Sequence, residues 1–212
     1  PNGWRFDGAG RYFLWDVAGS AGPVTYDDFS VTWISGPEPK PRTWTGGGSD
    51  NYWSTGGNWG GTTPITGDPL IFAGSGRPVN TNDLVGYVTP SVSFLDGGFE
   101  LYGNPVVLSA ALTNLAGNNT VGLDLSWATA SAKSWHLAAG SQLTLRGLTA
   151  IDVTGNHTFY GGGTLWIAGP FQVGSQVSSA NPPMVLNEGR IVLDGASFTS
   201  VGGYRMGSAA GT

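Results

Sequence analysis

The sequence predicts an all-β chain whose main body is a right-handed parallel β-helix, with a short β segment in front of it. Three observations carry that prediction. Of 212 residues 36 are Gly, and only 11% are charged, against about a quarter in ordinary globular chains. Polarity comes instead from Ser, Thr and Asn, which favour turns and strands over helix interiors. No window shows a 3.6-residue apolar period, whereas short apolar strands return at a nearly constant step. Hairpin turn chemistry is sparse, the main instances being "DGG" at 96–98 and "DG" at 194–195, where a sandwich or barrel would show it every 8–12 residues.

Bulk properties narrow the function classes. With 40% hydrophobic residues the chain is not of disordered composition. A net charge of −5, with only 9 Lys and Arg and no basic cluster, argues against nucleic acid, whose binding needs neutralised phosphates. It argues equally against an anionic membrane surface. No apolar run approaches the roughly 20 residues that span a bilayer, so membrane insertion is not expected. No signal peptide is legible, so a secreted chain would be seen here in mature or trimmed form. Cysteine is absent, which removes disulfides, thiolate metal sites and a cysteine nucleophile.

In chain order, residues 1–34 hold the aromatic strand-like pieces "GWRF", "RYFLWDV" and "VTYDDFSVTW". Residues 35–42 form a linker in which Pro37, Pro39 and Pro41 alternate, fixing φ and forbidding helix. Residues 43–212 change texture, beginning with the Trp/Gly-rich stretch 43–61. Strands such as "GGFELYG", "VGLDLSW", "GSQLTLRG", "GGTLWIAG" and "EGRIVLDG" then follow glycine-rich turns. Alternation sends Val121, Leu123, Leu125 and Trp127 to one face and Gly122, Asp124 and Ser126 to the other. One apolar residue per strand can be followed: Leu101, Leu123, Leu143, Leu165 and Ile191, at steps of 22, 20, 22 and 26 residues. A recurring unit of this size is the signature of stacked coils.

The run from Val92 to Gly147, with "GNHTFYGGGTLWIAG" and the stretch from Val185 to Thr212, resembles the autotransporter-associated β-strand repeats of large bacterial surface proteins. "TWTGGGSDNYWSTGGNW" is similar to the segment that commonly precedes such repeats. The resemblance covers about residues 43–212. It implies a β-helical chain displayed outside the cell or on a bacterial surface, and it supplies no catalytic residues to carry over. The repeats here are irregular, "GPFQVGSQVSSANPPM" interrupts them, and no translocator barrel is present. Separately, "PVTYDDFSVTW" is similar to the closing strand of jelly-roll modules. Thirty-four residues cannot supply the eight strands of a jelly roll, so the segment reads as a remnant of such a module or as a donor to one. Tyr26, Phe29, Val31 and Trp33 then form a candidate inter-subunit strand.

Trp44, Trp53 and Trp59 have two readings. Their indoles could cap the apolar end of the coil column while glycines let the backbone turn around them. Alternatively they could form a flat platform for sugar rings. Asp50 in "GGGSDN" suits hydrogen bonding to its own turn, with Ca²⁺ binding as the competing reading; a jelly-roll Ca²⁺ site at Asp27 and Asp28 is a further one. His136 and His157, 21 residues apart, could stack on adjacent coils at the surface, and no ligand cluster accompanies them. Polysaccharide lyases and depolymerases share the β-helix and use clustered acids with Lys or Arg. Candidates here would be Asp124, Lys133, Arg146, Asp152 and Arg190, with a surface ion pair between Asp124 and Arg146 as the plainer reading.

The expected role is therefore non-enzymatic: an extracellular structural or adhesive rod that self-associates, head to tail, into an oligomer or filament, with a surface glycan as a further partner. A carbohydrate-binding or carbohydrate-cleaving module is the alternative.

Overall fold

The structure, a computed structural model, describes residues 3–6, 12–15, 37–127, 132–151, 157–173, 184–195, 197–200 and 206–208. The chain divides into two compact units, Pro1–Pro37 and Glu38–Thr212. In the first, strands β1 (Gly3–Phe6) and β2 (Tyr12–Trp15) pair antiparallel, with Trp4 opposite Leu14. The candidate inter-subunit strand at Tyr26, Phe29, Val31 and Trp33 lies outside the described residues, as do Asp27 and Asp28.

The second unit opens with β3 (Arg42–Trp44), a 3₁₀ turn at Gly56–Trp59, β4 (Leu70–Phe72) and β5 (Val79–Asn82). Two long strands follow, each with a short successor: β6 (Tyr87–Phe94) and β7 (Glu100–Gly103), then β8 (Val106–Asn114) and β9 (Asn118–Val121). Three-strand coils come next: β10 (Leu125–Trp127), β11 (Lys133–Leu137) and β12 (Gln142–Leu145), then β13 (Thr149–Ile151), β14 (His157–Tyr160) and β15 (Thr164–Ile167). A third such coil has β16 (Phe171–Val173), β17 (Met184–Leu186) and β18 (Arg190–Leu193), and β19 (Phe198–Ser200) and β20 (Met206–Ser208) begin another.

Among the described residues every strand pairing in this unit is parallel, and each joins one coil to the next. The result is a β-solenoid of about five turns, as the composition and the recurring step imply. One face is a six-stranded sheet in the order β18-β15-β12-β9-β7-β5. The other sheet forks at β8, whose first half pairs with β10 and whose second half pairs with β11.

The fork has a local cause. In β6 the single Pro90 separates Thr89 from Ser91, whereas Ser109 and Ala110 occupy the same place in β8. Proline donates no N–H and tolerates only such an irregular position in a sheet. In the next coil the partners of β8 divide between β10, which ends at Trp127, and β11, which begins at Lys133. The bent strand β8 thus gives way to two separate strands, β10 and β11, in the coil that follows.

Inward residues stack in columns. Leu70, Val92, Leu112, Trp135, Phe159 and Leu186 are successive register partners on one face. Phe72 stacks on Phe94 at 5.4 Å, and Trp135 on Phe159 at 4.8 Å. Fully burying each aliphatic or Phe side chain in such a column contributes roughly 1.5–3 kcal/mol. Among the polar residues that enter the column, Asn119 Nδ2 donates to Asn114 Oδ1 at 2.6 Å, and Asn119 Oδ1 accepts from Phe99 N at 2.8 Å.

Leu143, Leu165 and Ile191 are register partners, as their spacing suggests. The step through Leu123 differs. Leu101 pairs with Val121, Leu143 pairs with Asn119, and Leu123 sits buried at the corner between β9 and β10. The run Val121–Trp127 is thus two strands and a corner, though its alternation of buried and exposed residues continues through the bend.

Candidate functional site

The Trp/Gly segment folds around two short side chains. Asn58 is fully buried; its Nδ2 donates to Tyr52 O at 2.9 Å and Asp50 O at 3.1 Å, and its Oδ1 accepts from Gly48 N at 2.9 Å. Asp50 accepts from Tyr52 N at 3.0 Å and from Thr55 Oγ1 at 2.8 Å. These hydrogen bonds, that from Tyr52 first, hold its carboxyl below the ordinary range. Asp50 therefore serves its own turn, and its oxygens are occupied by protein donors. At Gly46, where φ is 64°, a Cβ would lie 2.2 Å from Gly76 O, so only glycine permits this approach of two backbones.

Inside that frame lie the three indoles, at the end of the column where β3 and β4 pair. Trp44 and Trp53 are 0% exposed and Trp59 4%. Trp59 meets Trp44 edge-on at 5.1 Å and Trp53 edge-on at 5.8 Å, and Phe72 contacts all three rings. Each indole N–H has an acceptor: Gly76 O at 3.0 Å for Trp44, Asn80 Oδ1 at 2.7 Å for Trp53, Trp53 O at 2.9 Å for Trp59. With polar edges satisfied and faces packed, no indole face is open to a sugar ring.

A second polar knot ties the proline spacer to the coils. Asp68, buried at its side chain, accepts from Lys40 N at 2.6 Å, Ile65 N at 3.0 Å and Arg42 Nε at 2.8 Å. Burial pushes this carboxyl up, but the two N–H groups and the guanidinium outweigh it and leave it below the usual range. The strand β3 accordingly begins at Arg42, within the span that reads as linker.

The histidines do not stack on one another. Their strands are in register with Lys133 opposite His157 and His136 opposite Tyr160. His136 points outward and stacks on Tyr160 at 5.0 Å, while His157 opens β14 and is buried rather than at the surface. Lys133 is also buried, so it faces the column and not solvent. Trp135 Nε1 donates to His157 Nδ1 at 3.0 Å, which leaves the neutral imidazole's proton on Nε2. Burial, reinforced by the Lys133 charge, depresses the His157 pKa to about 3. Among the described residues, His157 Nε2, Trp127 Nε1 and Thr149 Oγ1 are buried without a hydrogen-bond partner.

The acids and bases considered for lyase chemistry do not converge. Asp124 lies exposed at a corner and accepts from Leu148 N at 2.8 Å; no ion pair joins it to Arg146. Arg146 and Arg190 lie exposed at the six-stranded sheet, Lys133 faces the interior, and Asp152 is outside the described residues. Among the described residues no three His, Cys, Asp or Glu side chains group as metal ligands, and no helix is long and apolar enough to cross a membrane.

Comparison with known proteins returns nothing: no family model, no curated protein and no solved structure matches this chain.

Two features escape the sequence reading. Asp68 and Asn58 look like ordinary turn residues in sequence, and only the meeting of distant segments makes them hubs. Lys133 and His157 were legible in principle: each alternates with buried aromatics, Trp135 and Phe159, and so occupies an inward position by period two.

Proposed function

We propose that the chain is a non-enzymatic structural and adhesive rod, displayed outside the cell, whose length and stiffness come from stacked coils. One relationship carries the reading. Leu145, Ile167 and Leu193 are register partners on the six-stranded sheet, yet Leu193 is 48% exposed while Ile167 is 0%. The inward position of β18 thus presents apolar surface that a coil of a second copy would cover. A head-to-tail contact of this type does not close on itself and so propagates as a filament. The parallel ladders add one set of backbone hydrogen bonds per coil, which gives rigidity without disulfides. The resemblance to bacterial surface repeats agrees with an extracellular setting.

Sedimentation across a concentration series, with negative-stain imaging of the same samples, tests the reading. Elongated oligomers that Leu193→Asp disperses are the expected result. Monodisperse monomers at high concentration, unchanged by that substitution, would count against assembly.

A further inference from the structure

Two half-buried rings away from the indole cluster, Tyr102 and Trp166, lie on the outside of the six-stranded sheet. There Glu100, Thr120, Thr144 and Trp166 are successive register partners and form one outward column. Beside it, Tyr102 reaches across the sheet toward the next coil. A Cβ on Gly122 would sit 2.5 Å from the Tyr102 ring, so the ring lies down over that glycine. Its hydroxyl donates to Glu100 Oε2 at 2.6 Å, which fixes the ring in that posture. Trp166 is laid over in the same sense: its Nε1 donates to Asp194 Oδ2, in the following coil, at 3.1 Å. Covering a glycine accounts for Tyr102 alone, because Trp166 stands opposite Val192.

We infer that this outer face binds an uncharged linear polysaccharide, with Tyr102 and Trp166 as its two stacking platforms. The C–H face of a pyranose packs on a flat aromatic ring, and its hydroxyls need donors and acceptors at the rim. Both are present: the hydroxyls of Thr120 and Thr144 and the guanidinium of Arg146 lie in the coils between the two rings. Three coil steps separate β7 from β15, about 14 Å along the axis at sheet spacing, which suits a short run of sugar units. Protein partners favour anchors that fill pockets, whereas here both rings lie on an open sheet. Charge selects the uncharged class. Glu100 and Asp194 are each tied to a ring, and a chain of net charge −5 repels polyanions.

The inference rests on the surface-rod reading for its setting, since it supplies the adhesive half of that role. The test is an array of uncharged linear hexasaccharides (gluco-, manno- and xylo-configured) probed with the full chain, with a hexuronate oligomer as acidic control. Binding to at least one uncharged probe is expected, weakened about tenfold or more by Tyr102→Ala and by Trp166→Ala. The opposite-sheet variant Tyr160→Ala should bind within a few-fold of wild type. Melting curves for each variant separate lost binding from lost fold. No binding to any uncharged probe, binding confined to the hexuronate, or binding indifferent to both alanine variants would overturn the inference. So would a change in sedimentation without a change in binding, which would make the face a contact between copies. Leu193→Asp separates the two readings: it should abolish assembly and leave glycan binding intact.

Discussion

Trp53 donates its indole N–H to Asn80 Oδ1 at 2.7 Å, inside the first coil and away from solvent. The bond joins the Trp/Gly segment to β5, and Tyr52 bridges to Thr81 beside it. Trp53→Phe would keep an aromatic ring but leave a buried amide oxygen unpaired, at about 1–3 kcal/mol. Trp53→Ala would open a cavity against Trp59, Phe72 and Tyr87 and cost about 3–5 kcal/mol. Urea midpoints should rank wild type, Trp53→Phe, Trp53→Ala in descending order. Equal midpoints would mean that the first coil contributes nothing to global stability.

Asp68 gathers three donors from two segments, and its loss should be felt at the proline spacer. Asp68→Ala leaves the Arg42 guanidinium without its partner and should cost about 3–5 kcal/mol, as for other broken buried pairs. Arg42→Ala should cost less, since that side chain is 18% exposed and the two backbone N–H bonds to Asp68 survive. Limited proteolysis is the sharper readout: cleavage near Pro39–Pro41 should rise in Asp68→Ala before the coils open. The folded carboxyl titrates below its ordinary 3.8. Its contribution is therefore present above that pH and lost as pH falls through the lower folded value.

The coil architecture was readable from residues because burial here has a simple period. Leu143 and Leu165 stand 22 residues apart and are direct partners. Leu123 shows the limit of that reading. A slip of one residue would turn every side chain to the wrong face, but a slip of two preserves the pattern. Alternation therefore could not reveal that Leu101 pairs with Val121 and not with Leu123. Corner lengths set the true register, and these depend on backbone hydrogen bonds such as Gly122 N to Leu101 O at 2.7 Å. The indoles were legible as a cluster through their glycine-rich spacing. Their satisfied N–H groups were not, because the acceptors at Gly76 and Asn80 lie on distant segments.

Two glycines in the Trp/Gly segment should respond differently to the same change. Gly46 and Gly60 have φ of 64° and 72°, a region that costs an L-residue about 1 kcal/mol. A Cβ at Gly60 meets nothing within 4 Å, whereas at Gly46 it would lie 2.2 Å from a backbone oxygen. Gly60→Ala should lower the thermal midpoint slightly, and Gly46→Ala several times more, because the first coil must shift to admit it. Similar losses in the two variants would show that backbone conformation, and not the close approach to Gly76, governs this turn.

His157 should make stability depend on pH above the range where carboxylates titrate. Its folded pKa is about 3, depressed by burial and then by Lys133, against about 6.5 in an unfolded chain. The unfolded state therefore binds the proton more readily, and stability falls as pH drops from 6.5 toward 3. The slope approaches about 1.4 kcal/mol per pH unit once the unfolded histidine is fully charged. Asp50 and Asp68, both held below 3.8, add their losses only at lower pH. Lys133, whose amine burial also depresses, alters the balance on the alkaline side. Urea midpoints measured between pH 6.5 and 4.5 should thus decline in the wild type and flatten in His157→Gln, whose absolute stability is lower throughout. NMR offers an independent check, since the imidazole should stay neutral across that window with Nε2 carrying its proton. A titration midpoint near 6.5 in the folded protein would mean that this side chain reaches solvent, and the packing around Trp127 and Trp135 would need revision.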